Sequence, residues 1–197
     1  SGSSQLLHRK QLIAGSVLFH AGVLVIFLGH LGGLLTPITL FDALGVPHGT
    51  KQMIAIIVGG VAGALALAGA TLLLHRRLFD PRIRKTSSFS DIMILFLLWV
   101  QLILGISTIK ISMDHLDGAE MLKFMTWAQG IFTFRADASS FVTDAHIVFK
   151  LHLFLGLTIL FLFPFTRLVH MLSAPVRYVW RPGYQIVRSR SAAARHG

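Results

Sequence analysis

The sequence predicts an all-α integral membrane protein, a single helical bundle with four transmembrane helices in this chain. Three observations lead there. Of the 197 residues 54% are hydrophobic and only 13% charged, where a soluble domain carries about 25% charged residues. Mean hydropathy is +0.71. The apolar residues fall into four runs long enough to cross a bilayer, and most basic residues gather between and after them. A net charge of +10 would suggest nucleic acid in a soluble chain. Here the positive-inside rule accounts for it, so lipid is the expected partner and nucleic acid is not.

Residues 1–10 are polar and basic. Span one covers about 12–35 and stops at Thr36-Pro37, because proline cannot continue a helix and disfavours helix just before it. The loop 36–52 contains Asp42, Pro47, His48 and Lys51. Span two, about 53–74, carries a small-residue face (Gly59, Gly60, Gly63, Gly69) suited to close helix approach. Arg76, Arg77, Arg82, Arg84 and Lys85 follow, broken by Asp80-Pro81. Ser90 and Asp91 are the expected N-caps of span three, about 92–111. In the long connection 112–144, residues 120–127 alternate at near-helical spacing and predict an interfacial amphipathic helix with Trp127 at the headgroups. Span four, about 145–172, contains Pro164 and should tilt or kink. The basic tail 173–197 brings Tyr178 and Trp180 as interfacial anchors.

The whole chain, 1–197, reads as one domain without an internal repeat. No cleavable signal peptide is evident, and the chain lacks an initiator Met. With four spans both ends lie on one side. That side holds thirteen Lys and Arg, and the other holds five: Lys51, Lys110, Lys123, Arg135 and Lys150. The bias places both ends in the cytoplasm. The absence of cysteine excludes disulfides, thiolate-ligated clusters and covalent C-x-x-C-H haem attachment. Any iron–sulfur chemistry belongs to another subunit.

Ionisable groups inside spans are costly and therefore functional candidates. Span one holds His20 and His30, and span four His152 and His170. Neutral imidazoles facing a bundle interior are what a haem iron needs as axial ligands. Spans one and four run antiparallel, so topology alone pairs His20 with His170 and His30 with His152. A single such histidine would read as a hydrogen-bonding core residue; two on each of two antiparallel spans favour two bis-histidine sites. The axial spacing fits less well. At ~1.5 Å per residue the first pair spans about 15 Å and the second about 27 Å if the helices are straight. His146 competes with His152 as ligand, while His8, His48, His75, His115 and His196 read as solvated. Gly22, Gly29 and Gly156 fit either a macrocycle lying on backbone or ordinary helix packing. Arg76, Arg77 and Arg167 are candidate propionate partners, or simply positive-inside anchors. Lys51 is one of few cations on its side and is either a donor to a quinone carbonyl or a snorkelling lysine.

Several words of the chain carry a resemblance: Ser3-Ser4-Gln5-Leu6-Leu7, Leu18-Phe19-His20, Gly29-His30, Leu35-Thr36-Pro37, Arg76-Arg77-Leu78-Phe79 followed by Pro81-Arg82, the His115-x-Asp117-Gly118 core, Leu151-His152-Leu153, and Phe163-Pro164-Phe165-Thr166-Arg167-Leu168-Val169-His170. With their spacing they resemble the gamma subunit of respiratory nitrate reductase. The resemblance implies a diheme cytochrome b in the bacterial inner membrane that oxidises quinol (menaquinol or ubiquinol) on the outer side. Electrons pass through a distal and then a proximal haem b to an iron–sulfur (beta) subunit, and a molybdenum (alpha) subunit reduces nitrate. It assigns His30 and His152 to the distal haem and His20 and His170 to the proximal one, as topology does. Lys51 matches the family's quinol-site lysine, and Gly29 the glycine of the quinol pocket. The family has five spans, and Ser1 to Gln5 look like the segment just after the first, so that helix is expected to be missing here. The rival readings are a related cytochrome b of a sulfite- or heterodisulfide-type reductase, and a haem-free membrane anchor or transporter. The tail and the 75–91 loop, with Tyr178, Trp180 and Tyr184, are expected to dock a cytoplasmic partner or anionic lipid.

Overall fold

A computed structural model of the chain describes residues 2–166. His170, Arg167 and the 173–197 tail lie outside the described residues. Helix α1, Gly2–Leu35, includes the first span, Leu12–Leu35, and ends where Pro37 predicts. Pro37 then starts a short helix, α2 (Ile38–Ala43), inside what reads as a loop. Helix α3 (His48–Phe79) begins five residues before the expected span, because Pro47 serves as its N-cap and sets the entry angle. Lys51 therefore stands in the first turn of a helix rather than in a loop. Helix α4 (Pro81–Thr86) begins at the proline of Asp80-Pro81.

Helix α5 (Phe89–Met113) is capped by Ser88, not by Ser90 or Asp91. The Asp91 amide donates to Ser88 Oγ (3.2 Å), and the Ser88 amide donates to Asp91 Oδ2 (3.3 Å). Asp91 is thus the third-position partner of a capping box. Helix α6 (Ala119–Phe132) contains the expected amphipathic segment and buries Met125 completely, with Trp127 half-buried. A 3-10 turn, Ala138–Val142, follows it. Beside that turn Arg135 donates to both oxygens of Asp137 (3.1 and 2.8 Å), which holds that carboxyl below its ordinary range. Helix α7 (Ile147–Leu162) stops before Pro164. A 3-10 turn, Phe163–Phe165, leads to Thr166 in extended conformation (φ −121°, ψ 169°). The straight-helix rise assumed between His152 and His170 therefore does not apply beyond Leu162.

Four of these helices are long and apolar enough to cross a membrane. They pack in a row: α1 on α3, α3 on α5, α5 on α7. Phe19, Ala66, Ala70, Leu74, Leu95 and Leu102 form the core between the first three. The α1–α3 contact is close because it is built on glycine. A Cβ on Gly22 would stand 2.5 Å from the Ala62 carbonyl oxygen, and one on Gly69 would strike the Phe19 amide nitrogen. The small-residue face of α3 is divided. Gly69 meets α1, Gly63 meets Ile106 of α5, and a Cβ on Gly59 would meet nothing within 4 Å. Gly69→Leu is expected to force the two helices apart at a cost of about 1–3 kcal/mol. Its thermal midpoint should fall, while Gly59→Leu should leave the midpoint unchanged.

Two glutamines close helix ends. Gln129 of α6 donates to the carbonyls of Leu34 (3.1 Å) and Thr36 (2.9 Å) at the end of α1. Gln52 of α3 donates to those of Ser112 (2.8 Å) and His115 (2.6 Å) at the end of α5. Terminal carbonyls have no partner within their own helix, and inside a bundle these amides satisfy them.

Candidate functional site: facing histidines and a buried lysine

Helices α1 and α7 are the two ends of the row, and no packed face joins them among the described residues. Across this gap the rings of His30 and His152 face each other, with centroids 6.2 Å apart and planes inclined at 48°. Topology predicts this pairing, and the structure brings the two rings together. His30 lies near the end of α1, and its Nδ1 donates to the Ile26 carbonyl one turn back (2.8 Å). That bond fixes the tautomer and turns the Nε2 lone pair outward, as metal-ligating imidazoles require. His20 is held in the same way, its Nδ1 on the Ser16 carbonyl at 2.7 Å.

His152 is positioned by α5. Gln101 donates to the His152 carbonyl (3.0 Å), and a Cβ on Gly105 would press on the ring at Cε1 (3.0 Å). The ring thus lies against bare backbone. Its Nδ1 is buried and makes no hydrogen bond. A polar atom left in that state carries a cost unless another group engages it.

The donor set fits a haem iron. Metal–imidazole bonds of about 2 Å on opposite sides of one metal separate the ring centres by roughly 6 Å. Among the described residues no group of three His, Cys, Asp or Glu forms a metal cage. Two opposed imidazoles are what a metal needs when a macrocycle supplies its other ligands.

His146, the competitor, is used otherwise. It is the N-cap of α7, its Nδ1 accepting from the Val148 amide (3.2 Å), and it is exposed. Of the glycines near the ligands, Gly22 packs on α3 and Gly156 faces the Gln101 amide (3.0 Å from its would-be Cβ). These two serve helix packing. Gly29, beside His30, would carry its Cβ into open space. Arg77 donates to the Asp91 carbonyl (2.9 Å) and ties the end of α3 to the start of α5. Arg76 shares the last turn of α3, with its Nε buried.

Lys51 is 7% exposed, so it does not snorkel. Its Nζ makes no hydrogen bond and lies over the Phe41 ring at 4.3 Å. Cation–π attraction compensates part of the desolvation, but three N–H donors remain without acceptors. His48, one turn earlier and expected to be solvated, has a buried Nδ1 without a hydrogen bond.

The sequence does not single out Gln101, Phe41 or the buried nitrogen of His48. Gln101 had a signal: it is a lone amide within an apolar span, and such residues are expensive there. Phe41 had none, since its contact depends on a six-residue helix too short to read.

Residues 1–190 match the family profile described as nitrate reductase gamma subunit. The chain is 48% identical over 190 residues to the respiratory nitrate reductase 1 gamma chain of Escherichia coli K12, covering 96% of this chain and 84% of that one. It is 49% identical to the respiratory nitrate reductase 2 gamma chain of the same organism, with 96% and 83% covered. It is 40% identical to the nitrate reductase gamma chain of Bacillus subtilis 168, with 96% and 84% covered.

Proposed function

The chain belongs to the nitrate reductase gamma subunit family, and from that premise we propose that it is the quinol-oxidising diheme cytochrome b of its complex. The observation that carries the reading is the His30–His152 pair, facing at 6.2 Å from two helices that do not pack on each other. His30 and His152 hold the distal haem; His20, with its tautomer set by Ser16, and His170 hold the proximal one. Bound haem supplies one-electron redox chemistry that no side chain of this chain provides. The chain itself contributes ligation, orientation and a dry environment. Arg76, Arg77 and Arg167 are the cations for propionates; Arg77 also donates to the Asp91 carbonyl.

Lys51, buried with unused donors, binds the quinol oxygen beside the distal site, with Gly29 leaving room next to His30. The haems so held would supply a one-electron route toward an iron–sulfur subunit, with a molybdenum subunit beyond. The thirteen-to-five distribution of basic residues supports a cytoplasmic location for both ends of this chain, in the inner membrane.

The test is a reduced-minus-oxidised spectrum and haem quantitation on the intact complex. Two b haems per gamma chain are expected, and one or none would overturn the reading. The haem-free anchor predicts a featureless spectrum, and a sulfite- or heterodisulfide-type relative predicts different neighbouring subunits. His146→Ala removes a helix cap worth about 1 kcal/mol. It should lower the thermal midpoint slightly and leave haem content intact.

A further inference from the structure

The first turn of α3 carries two buried polar groups, and only Lys51 has so far been given a use. We propose that His48, backed by Asp42, accepts the protons released when quinol is oxidised beside Lys51 and passes them to water. The proposal rests on the quinol site inferred above.

His48 and Lys51 are three residues apart on α3, which puts them on one face with Cβ atoms roughly 5–6 Å apart. Two successive residues of α2 cover them: the Phe41 ring lies on Lys51 Nζ, and Asp42 Oδ1 stands 3.5 Å from His48 Nε2. The three polar side chains form a gradient of exposure. Lys51 is 7% exposed, while the side chains of His48 and Asp42 are 34% and 54% exposed. The imidazole spans the step. Its Nδ1 is buried and without a hydrogen bond, while its Nε2 faces a carboxylate that reaches solvent. Imidazole can take a proton on one nitrogen and release another from the second, which is why histidine serves as a proton shuttle. A ring with one nitrogen inside a pocket and the other at an exposed carboxylate is built for that transfer.

The stem of the residue is also held in place. A Cβ on Gly118 would stand 2.5 Å from His48 Cβ, so the 114–118 connection packs against the Cβ and backbone from which the ring projects. Gly118 has φ +84°, a conformation glycine adopts without strain. Gln52 pins the same connection through the His115 carbonyl. The charged and titratable residues on the elements packed against His48 are Asp42 of α2, Lys51 of α3, and Asp114, His115 and Asp117 of this connection. Asp117 is already engaged, accepting from the Ala119 amide at 3.0 Å.

The step balances as follows. One quinol loses two O–H protons and two electrons to become quinone. The electrons would be taken up one at a time by the haem that His30 and His152 would hold. Each proton goes to His48 Nδ1, while the Nε2 proton leaves through Asp42 to water, which resets the ring.

The experiment uses the complete complex in native membranes. His48→Gln is expected to lower quinol-dependent kcat by about a hundredfold or more, the scale of a lost general base. The deficit should shrink as pH rises and bulk base replaces the ring. Equilibrium binding of a tritiated short-chain naphthoquinone should stay within about threefold of wild type, well under the tenfold that 1.4 kcal/mol represents. Asp42→Asn should give a smaller loss with the same pH trend. A His48→Gln complex with wild-type kcat at every pH would overturn the relay. So would a loss of rate accompanied by loss of quinone binding, which would make His48 structural. Unaltered quinone binding in Lys51→Ala would instead remove the underlying site.

Discussion

His152→Ala is expected to leave the complex with one haem per gamma chain instead of two and to reduce quinol-dependent nitrate reduction to background. Loss of a group that merely supports a metal ligand typically costs 10–100-fold, so loss of the ligand should exceed about a hundredfold. The expectation follows from the site. His30 is held by Ile26 on one side of the gap, and His152, seated against Gly105 and Gln101, is the group that faces it. Without the second imidazole α7 would present no facing ligand to an iron held by His30. Activity with a small artificial donor entering at the iron–sulfur subunit should survive, because that route bypasses the distal site. Haem quantitation and a reduced spectrum check the first part, and paired donor assays the second. A His152→Ala complex that keeps both haems would return the ligand to His146.

Lys51→Ala should separate function from stability in the opposite way. A hydrogen bond from a charged donor is worth about 1.5–3 kcal/mol, so quinol oxidation should weaken by roughly ten- to a hundredfold. Haem content should be unchanged, since Lys51 ligates nothing. The folded state should not suffer, because Nζ is buried without a hydrogen bond and its removal takes away an unsatisfied charge. A thermal midpoint at or above wild type, together with slow quinol turnover, is the expected pair of results. Such a combination marks a residue kept for activity rather than for stability. Normal turnover in Lys51→Ala would refute the quinol role, and loss of haem with activity would make the lysine structural.

The spans were legible because hydrophobic runs and prolines leave little choice in lipid. Pro37, Pro47, Pro81 and Pro164 all fall at or beside helix boundaries. The His30–His152 pairing was legible for a similar reason, since antiparallel spans fix which ends meet. What stayed hidden depends on contacts across the chain. Helix α2 is only six residues long and gives no periodic signal. Without it the burial of Lys51 under Phe41, and the contact of His48 with Asp42, could not be foreseen. Ser88 is hard to single out as the cap because Asp91, its reciprocal partner, is itself a good capping residue. Gly22 and Gly156 suited a macrocycle by position, yet they meet α3 and Gln101. Composition cannot say which neighbour a small residue makes room for.

The row of spans bears on how the protein is made. Helix α7 is seated on α5 and shares no packed face with α1 among the described residues. On the proposed assignment, a cofactor gripped by His30 and His152 would act as the clasp that turns an open row into a ring. A ligand that binds only the closed form contributes RT ln(1 + [L]/Kd), about 4 kcal/mol at a thousandfold excess over Kd. Insertion of the first three long helices could then precede haem delivery, while stable closure would depend on it. In cells starved of haem, the chain should accumulate with its fourth span loosely tethered, where membrane proteases can reach it.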